Sequence, residues 1–134
     1  MKKISLSLSL LFMVASSLFA QVSLDGSRLK PSGSIRFQTG TDQMSNESVA
    51  ALQEIADYLK DKSHITLVRI EGHVAAGEQD ARAQVLSEKR AVAIANWLIQ
   101  AGIDCSRLLP VGFGTNKPTA LNQTPEGRLA NTRT

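Results

Sequence analysis

Arg90 is the side chain in this 134-residue sequence best placed to do chemistry. Wound at 3.6 residues per turn, Ala83, Leu86, Ala91, Ile94, Trp97, Leu98 and Ala101 fall within an arc of roughly 140°, and Arg90 falls inside it. A guanidinium on the buried face of a helix must have a partner: a carboxylate of the protein, or a ligand carboxylate gripped through paired N–H bonds. Upstream, the stretch Glu71 to Ala91 (EGHVAAGEQDARAQVLSEKRA) reads as an aliphatic strand that breaks at Gly72, a polar turn, and then a long helix. That succession sets polar groups of the turn beside the first exposed side chains of the helix, which suits a small anionic ligand.

Other chemistries find little support. His64 and His73 stand nine residues apart with no cysteine between them, which gives no metal-ligand spacing, and no nucleophile is paired with a base. Gly112-Phe113-Gly114 lacks the G-x-x-x-x-G-K spacing of a phosphate loop. The expectation is therefore no enzyme, no cofactor and no metal. Cys105 is the single cysteine, so it has no internal disulfide partner.

The chain opens with Lys2 and Lys3, followed by an apolar, serine-rich run from Ile4 to Ala20 with small residues near its end, the pattern of a secretory signal peptide. No cysteine lies near Ser17 or Ala20 to carry a lipid after cleavage. Removing the first 20 of 134 residues leaves 114, enough for one domain. Losing the two lysines takes the basic count from 15 to 13 against 12 acidic residues, so the formal charge drops from +3 to +1. The concentrated basic face that nucleic-acid binding needs is absent.

The elements that must position Arg90 follow in order. Residues 21–33 read as an extended lead-in, and a short strand begins over Ser34–Phe37. Ser45 is a sensible N-cap for a helix in which Val49, Leu52, Ile55, Ala56 and Leu59 recur, ending near Lys60. Ile65–Ile70 is a nearly all-aliphatic strand, as expected where helices cover at least one face. The second helix spans about Gln79 to Gln100 and stops at Gly102. On it, Val85, Val92 and Ile99 make a second apolar line, either covered or presented to a second copy of the chain (a homodimer) or to an envelope protein. Leu108–Phe113 forms a third strand with Pro110 arguing for an edge or an irregular start, and Pro125–Asn131 a short helix capped by Thr124. The predicted architecture is an α/β (α+β) sandwich of order β-α-β-α-β, with helices packed on one sheet.

In order along the chain stand IRF at Ile35–Phe37, IEGH at Ile70–His73, LSEKRA at Leu86–Ala91, GFG at Gly112–Gly114 and NQTPEGRLANTR at Asn122–Arg133. On these pieces the region 34–134 resembles the C-terminal domain of outer-membrane protein A, shared with peptidoglycan-associated lipoprotein and the flagellar stator protein B. The resemblance implies a non-catalytic periplasmic module that holds the carboxylate and amine of diaminopimelate in peptidoglycan stem peptides. It implies location in the periplasm or at the outer membrane of a Gram-negative-type bacterium. It also implies a site drawn from Arg90, Gly72, Ala75 and Gln38.

Arg90 matches the arginine of the family's LS-x-x-RA motif. The family's GHTD, however, reads GHVA here: Val74 stands for the Thr and Ala75 for the Asp that would meet the ammonium. The Asp that commonly follows the first strand's Phe is Gln38. Losing a charged partner from a partly desolvated site costs about 2–5 kcal/mol, so peptidoglycan binding is expected to be weak. The alternative is a degenerate domain that has lost wall binding and serves as a protein-interaction or scaffold module. The family's final strand is missing after Thr134, which reads as a C-terminal truncation relative to the family.

Overall fold

A computed structural model describes residues 21–75 and 80–115. The expected helix Pro125–Asn131, the NQTPEGRLANTR motif and the leader over 1–20 lie outside the described residues. The elements are β1 (Ser23–Asp25), β2 (Arg28–Lys30), α1 (Ser48–Asp61), β3 (Val68–Gly72), α2 (Asp80–Gln100), a 3-10 turn (Cys105–Arg107) and β4 (Leu108–Gly112). Among the described residues it is a mixed α/β fold of two helices and two small sheets.

β3 and β4 pair in parallel, from Val68 opposite Leu108 to Gly72 opposite Gly112. Parallel neighbours need a long crossover, and α2 supplies it. Val68 and Ile70 turn toward the core and Leu108 is buried in it, whereas Leu67 and Leu109 on the other face are exposed. α1 contributes Leu52, Ile55, Ala56 and Leu59 to that core, and α2 contributes Ile94, Ala95 and Leu98. Val49, expected in the α1 stripe, is instead exposed. Along α2 the predicted arc holds: Ala83, Arg90, Ala91, Ile94 and Leu98 are buried, with Leu86, Trp97 and Ala101 half-buried. The opposite line, Val85, Val92 and Ile99, is exposed. The helix ends where Gly102 takes φ 102°, a conformation that favours glycine.

Three expectations are corrected. The strand over Ser34–Phe37 reduces to one antiparallel bridge, Phe37 to Met44, flanked by Gln38 N–H to Gln43 O (2.9 Å) and Ser45 N–H to Arg36 O (2.9 Å). Its pairing partner is a local turn, so no ladder develops. The lead-in contains a hairpin, β1 antiparallel to β2, turned at Gly26 with φ 61°. α1 starts at Ser48 rather than just after Ser45, because the Ser45 hydroxyl meets Ser48 Oγ at 3.2 Å instead of a helix amide. Buried Ser48 in turn accepts from Arg36 N–H (2.7 Å) and donates to Arg36 O (2.9 Å), which seats the 36–44 segment on the helix start.

At the far end of α1, Arg107 donates from Nη2 to Leu59 O (2.8 Å) and Lys62 O (3.1 Å), and from Nε to Ile65 O (3.0 Å). Leu59 O and Lys62 O belong to the helix terminus, whose last carbonyls lack intrahelical donors, and Lys62 O also accepts from Ile65 N–H at 3.0 Å. Asp104 opens the 3-10 turn by accepting from Ser106 N–H at 2.9 Å, and the bonds from the Ser106 amide and side chain hold its carboxyl below the ordinary carboxylate value.

Candidate functional site

Arg90 is 2% exposed. Its Nε–H donates to Thr41 O (2.8 Å) and Nη2–H to Gln38 O (3.4 Å), and the guanidinium lies 5.0 Å from the centroid of the Phe37 ring. A cation over an aromatic face is held by the ring quadrupole, and the two carbonyls set the plane of the guanidinium. These are not its only interactions. Two carbonyls and an aromatic ring are therefore among its partners. The carbonyls are available because the turn after Phe37 folds on itself: Gln38 O also accepts from Thr41 N–H (3.0 Å) and Thr41 Oγ1 (3.1 Å). Gln38 therefore joins Arg90 through its backbone, with its side chain exposed.

Gly72 closes β3 against α2. A Cβ added there would overlap the Ser87 carbonyl, so the strand end and the helix approach to backbone contact. Its register partner Gly112 faces the same residue, with an added Cβ 2.6 Å from Ser87 Oγ and 2.5 Å from Glu88 N. Gln84 ties the helix to this strand end, donating from Nε2 to Gly112 O (2.8 Å) and to Glu88 Oε1 (2.7 Å).

Beyond Gly72, His73 is buried, its Nε2 3.4 Å from Glu71 Oε2 and its ring stacked at 9° on Phe113 with centroids 5.5 Å apart. Glu71 also pairs with Arg69 at 2.6 Å. Val74, in the place of the family's Thr, is 2% exposed, and its N–H donates to Gly114 O at 3.1 Å. An isopropyl group suits that pocket without asking for a hydroxyl partner. Ala75 follows, half-buried, and brings a methyl group where the resemblance places an anion.

The structure thus joins Arg90 to Gln38 directly and Gly72 to α2 one turn earlier, while Ala75 enters through its neighbour Val74. Sequence reading missed Ser87, Thr41 and Phe37. Ser87 was findable: it falls in the same buried arc as Arg90, and a polar side chain there needs a partner just as the guanidinium does. Thr41 was not, since it contributes only a carbonyl. Among the described residues no group of three or more His, Cys, Asp or Glu is placed to hold a metal ion.

Outer membrane porin F of Pseudomonas aeruginosa is 34% identical over 100 residues, covering 74% of this chain and 28% of the porin. Outer-membrane lipoprotein YfiB of the same species is 33% identical over 102 residues, 76% of this chain and 60% of the lipoprotein. The chain therefore spans from about a quarter to three fifths of the length of these relatives. Among solved structures, the peptidoglycan-associated lipoprotein from Burkholderia pseudomallei superposes with a TM-score of 0.69 at 26% identity, covering 75% of this chain and 85% of that one. Residues 36–132 match the OmpA family, a span holding both Arg90 and the β3–α2 junction; the chain belongs to that family of structural, non-enzymatic envelope proteins, which are commonly peptidoglycan-associated.

Proposed function

We propose that this chain is a non-catalytic, exported wall-binding module that holds the diamino-acid end of peptidoglycan stem peptides weakly, through Arg90 and the loop opening at Gly72. The observation that carries this reading is the Arg90 guanidinium, a planar cation oriented by Thr41 O and the Phe37 ring. It occupies the motif position where the resemblance puts the carboxylate-gripping arginine. A planar fork suits a carboxylate, and its fixed orientation lowers the entropy lost on binding. Weakness follows from Ala75: a missing ammonium partner at about 2–5 kcal/mol corresponds to roughly 30-fold to several-thousandfold in affinity.

Co-sedimentation of the purified protein with peptidoglycan sacculi tests this reading. Wild type is expected in the pellet and Arg90→Ala in the supernatant, with both folded by circular dichroism. If wild type is folded and stays in the supernatant, wall binding is refuted for this chain.

A second reading, a protein-interaction domain that has lost wall binding, is favoured by two neutral residues, Ala75 and Gln38, in place of the family's two acids. Its contact surface would be the exposed Val85, Val92 and Ile99 line. Ala75→Asp separates the two readings. Binding that appears from nothing supports degeneration, and binding that hardly changes supports an altered, working site.

A further inference from the structure

One turn before Arg90, Ser87 is fully buried, and its hydroxyl makes two bonds of different kinds. It donates to Gln84 O within its own helix at 2.9 Å, a local bond that needs no tertiary structure. It accepts from Gly114 N–H at 2.9 Å, a bond that reaches across 27 positions of sequence. Gly114 lies beyond the β4 ladder, so this amide has no strand partner to satisfy it there, and a buried amide left unpaired is costly.

The Gly114 bond is the first of a connected set. Gly114 O accepts from Val74 N–H at 3.1 Å, and Gly72 O accepts from Phe113 N–H at 2.9 Å. The exit of β3, the exit of β4 and the second turn of α2 are thereby laced together. The two glycines that end the strands lie side by side and both press on Ser87, so at this point α2 meets the sheet at backbone contact, held by the Ser87 hydroxyl and by Gln84 Nε2, which donates to Gly112 O. At Gly72 the contact is backbone on backbone, which leaves the helix little room to shift. The Ser87 hydroxyl therefore sets where α2 sits along the strand ends, and with it where Arg90 stands relative to the loop carrying Val74 and Ala75.

We propose that Ser87 is the positioning residue of the candidate site, its hydroxyl fixing the Gly114 turn and, through Val74, the β3 exit against the helix that carries Arg90. This inference rests on the wall-binding reading. Ser87 itself is sealed beneath the glycines and acts through the Gly114 and Val74 amides.

Two readouts on Ser87→Ala test it, with Ser87→Cys as a second variant that keeps a donor on a somewhat larger side chain while offering a poorer acceptor. Hydrogen exchange at the Gly114 and Val74 amides is expected to accelerate at least about tenfold, as loss of one such bond implies, while the α1 core amides keep their protection. Affinity for sacculi is expected to fall about tenfold, with Ser87→Cys in between. Arg107→Ala serves as a control at the opposite end of the sheet: it should lower the unfolding midpoint while leaving sacculus affinity at the wild-type level. Wild-type affinity in folded Ser87→Ala overturns the proposal, and so does a loss in Arg107→Ala that matches its destabilisation. If wild-type protein does not bind sacculi, the wall-binding reading fails by itself. The exchange arm still decides the positioning claim: acceleration confined to Gly114 and Val74 supports it, and uniform acceleration overturns it.

Discussion

Gly72 and Arg90 show how single positions of the same junction are constrained in opposite ways. Arg90 was visible as a charge on an apolar arc, and burial at 2% exposure follows from its neighbours Ala83, Ala91, Ile94 and Leu98. What satisfies it was not visible, since Thr41 O and Gln38 O come from 49 and 52 positions away. At Gly72 the constraint is the absence of a side chain. Gly72→Ala drives a methyl group into the Ser87 carbonyl, backbone against backbone, and should cost about 3 kcal/mol. Gly33→Ala is the comparison, because a Cβ there meets Ala51 Cβ at an ordinary 3.6 Å. Urea unfolding of the two variants checks this: a large drop in midpoint is expected for Gly72→Ala and little change for Gly33→Ala. Equal midpoints would show that the helix can move off the strand end without cost.

The two helices are held by different means. α2 is long, ends at a left-handed glycine and buries a wide apolar face, so its sequence pattern suffices to place its ends. α1 has no side-chain N-cap, and its C-terminal carbonyls are satisfied by Arg107, a residue that local pattern could not nominate because it acts 45 and 48 positions from its acceptors Lys62 and Leu59. Arg107→Ala removes the guanidinium donors to Leu59 O and Ile65 O and leaves Lys62 O with the Ile65 amide alone, and is expected to cost about 2–3 kcal/mol. Arg107→Lys should recover little of that, since one ammonium on a flexible stem cannot reproduce a planar fork serving three acceptors. Chemical denaturation of both variants is the check, and full recovery by lysine would reduce the role of Arg107 to its charge.

For the molecule as a whole, the segment 21–33 is more than a tether. Val22 and Leu29 pack against the core, and Ser32 clasps Glu54 of α1 through its amide at 2.8 Å and its hydroxyl at 2.5 Å. Deleting residues 21–33 should therefore lower the melting midpoint by about 5–10 °C, the equivalent of one to two kcal/mol for a domain of this size. Calorimetry on the shortened chain measures it. An unchanged midpoint would mean that the hairpin rides on the fold without supporting it.

What the sequence determined by itself is the set of features that depend on near neighbours. These are the helical periods of α1 and α2, the aliphatic strands at β3 and β4, the stop at Gly102 and the burial of Arg90. Side-chain spacing along one element fixes which face is apolar, so these could be read without a fold. Tertiary structure decided what requires two distant segments to meet. It paired Gly72 with Gly112 so that both lie on Ser87, gave Arg90 its carbonyl partners, shrank the strand after Ser34 to a single bridge and turned the lead-in into a hairpin whose Leu29 packs on the core. Backbone carbonyls and missing side chains carry no residue-type signal, and the contacts made of them exist only once the chain has closed.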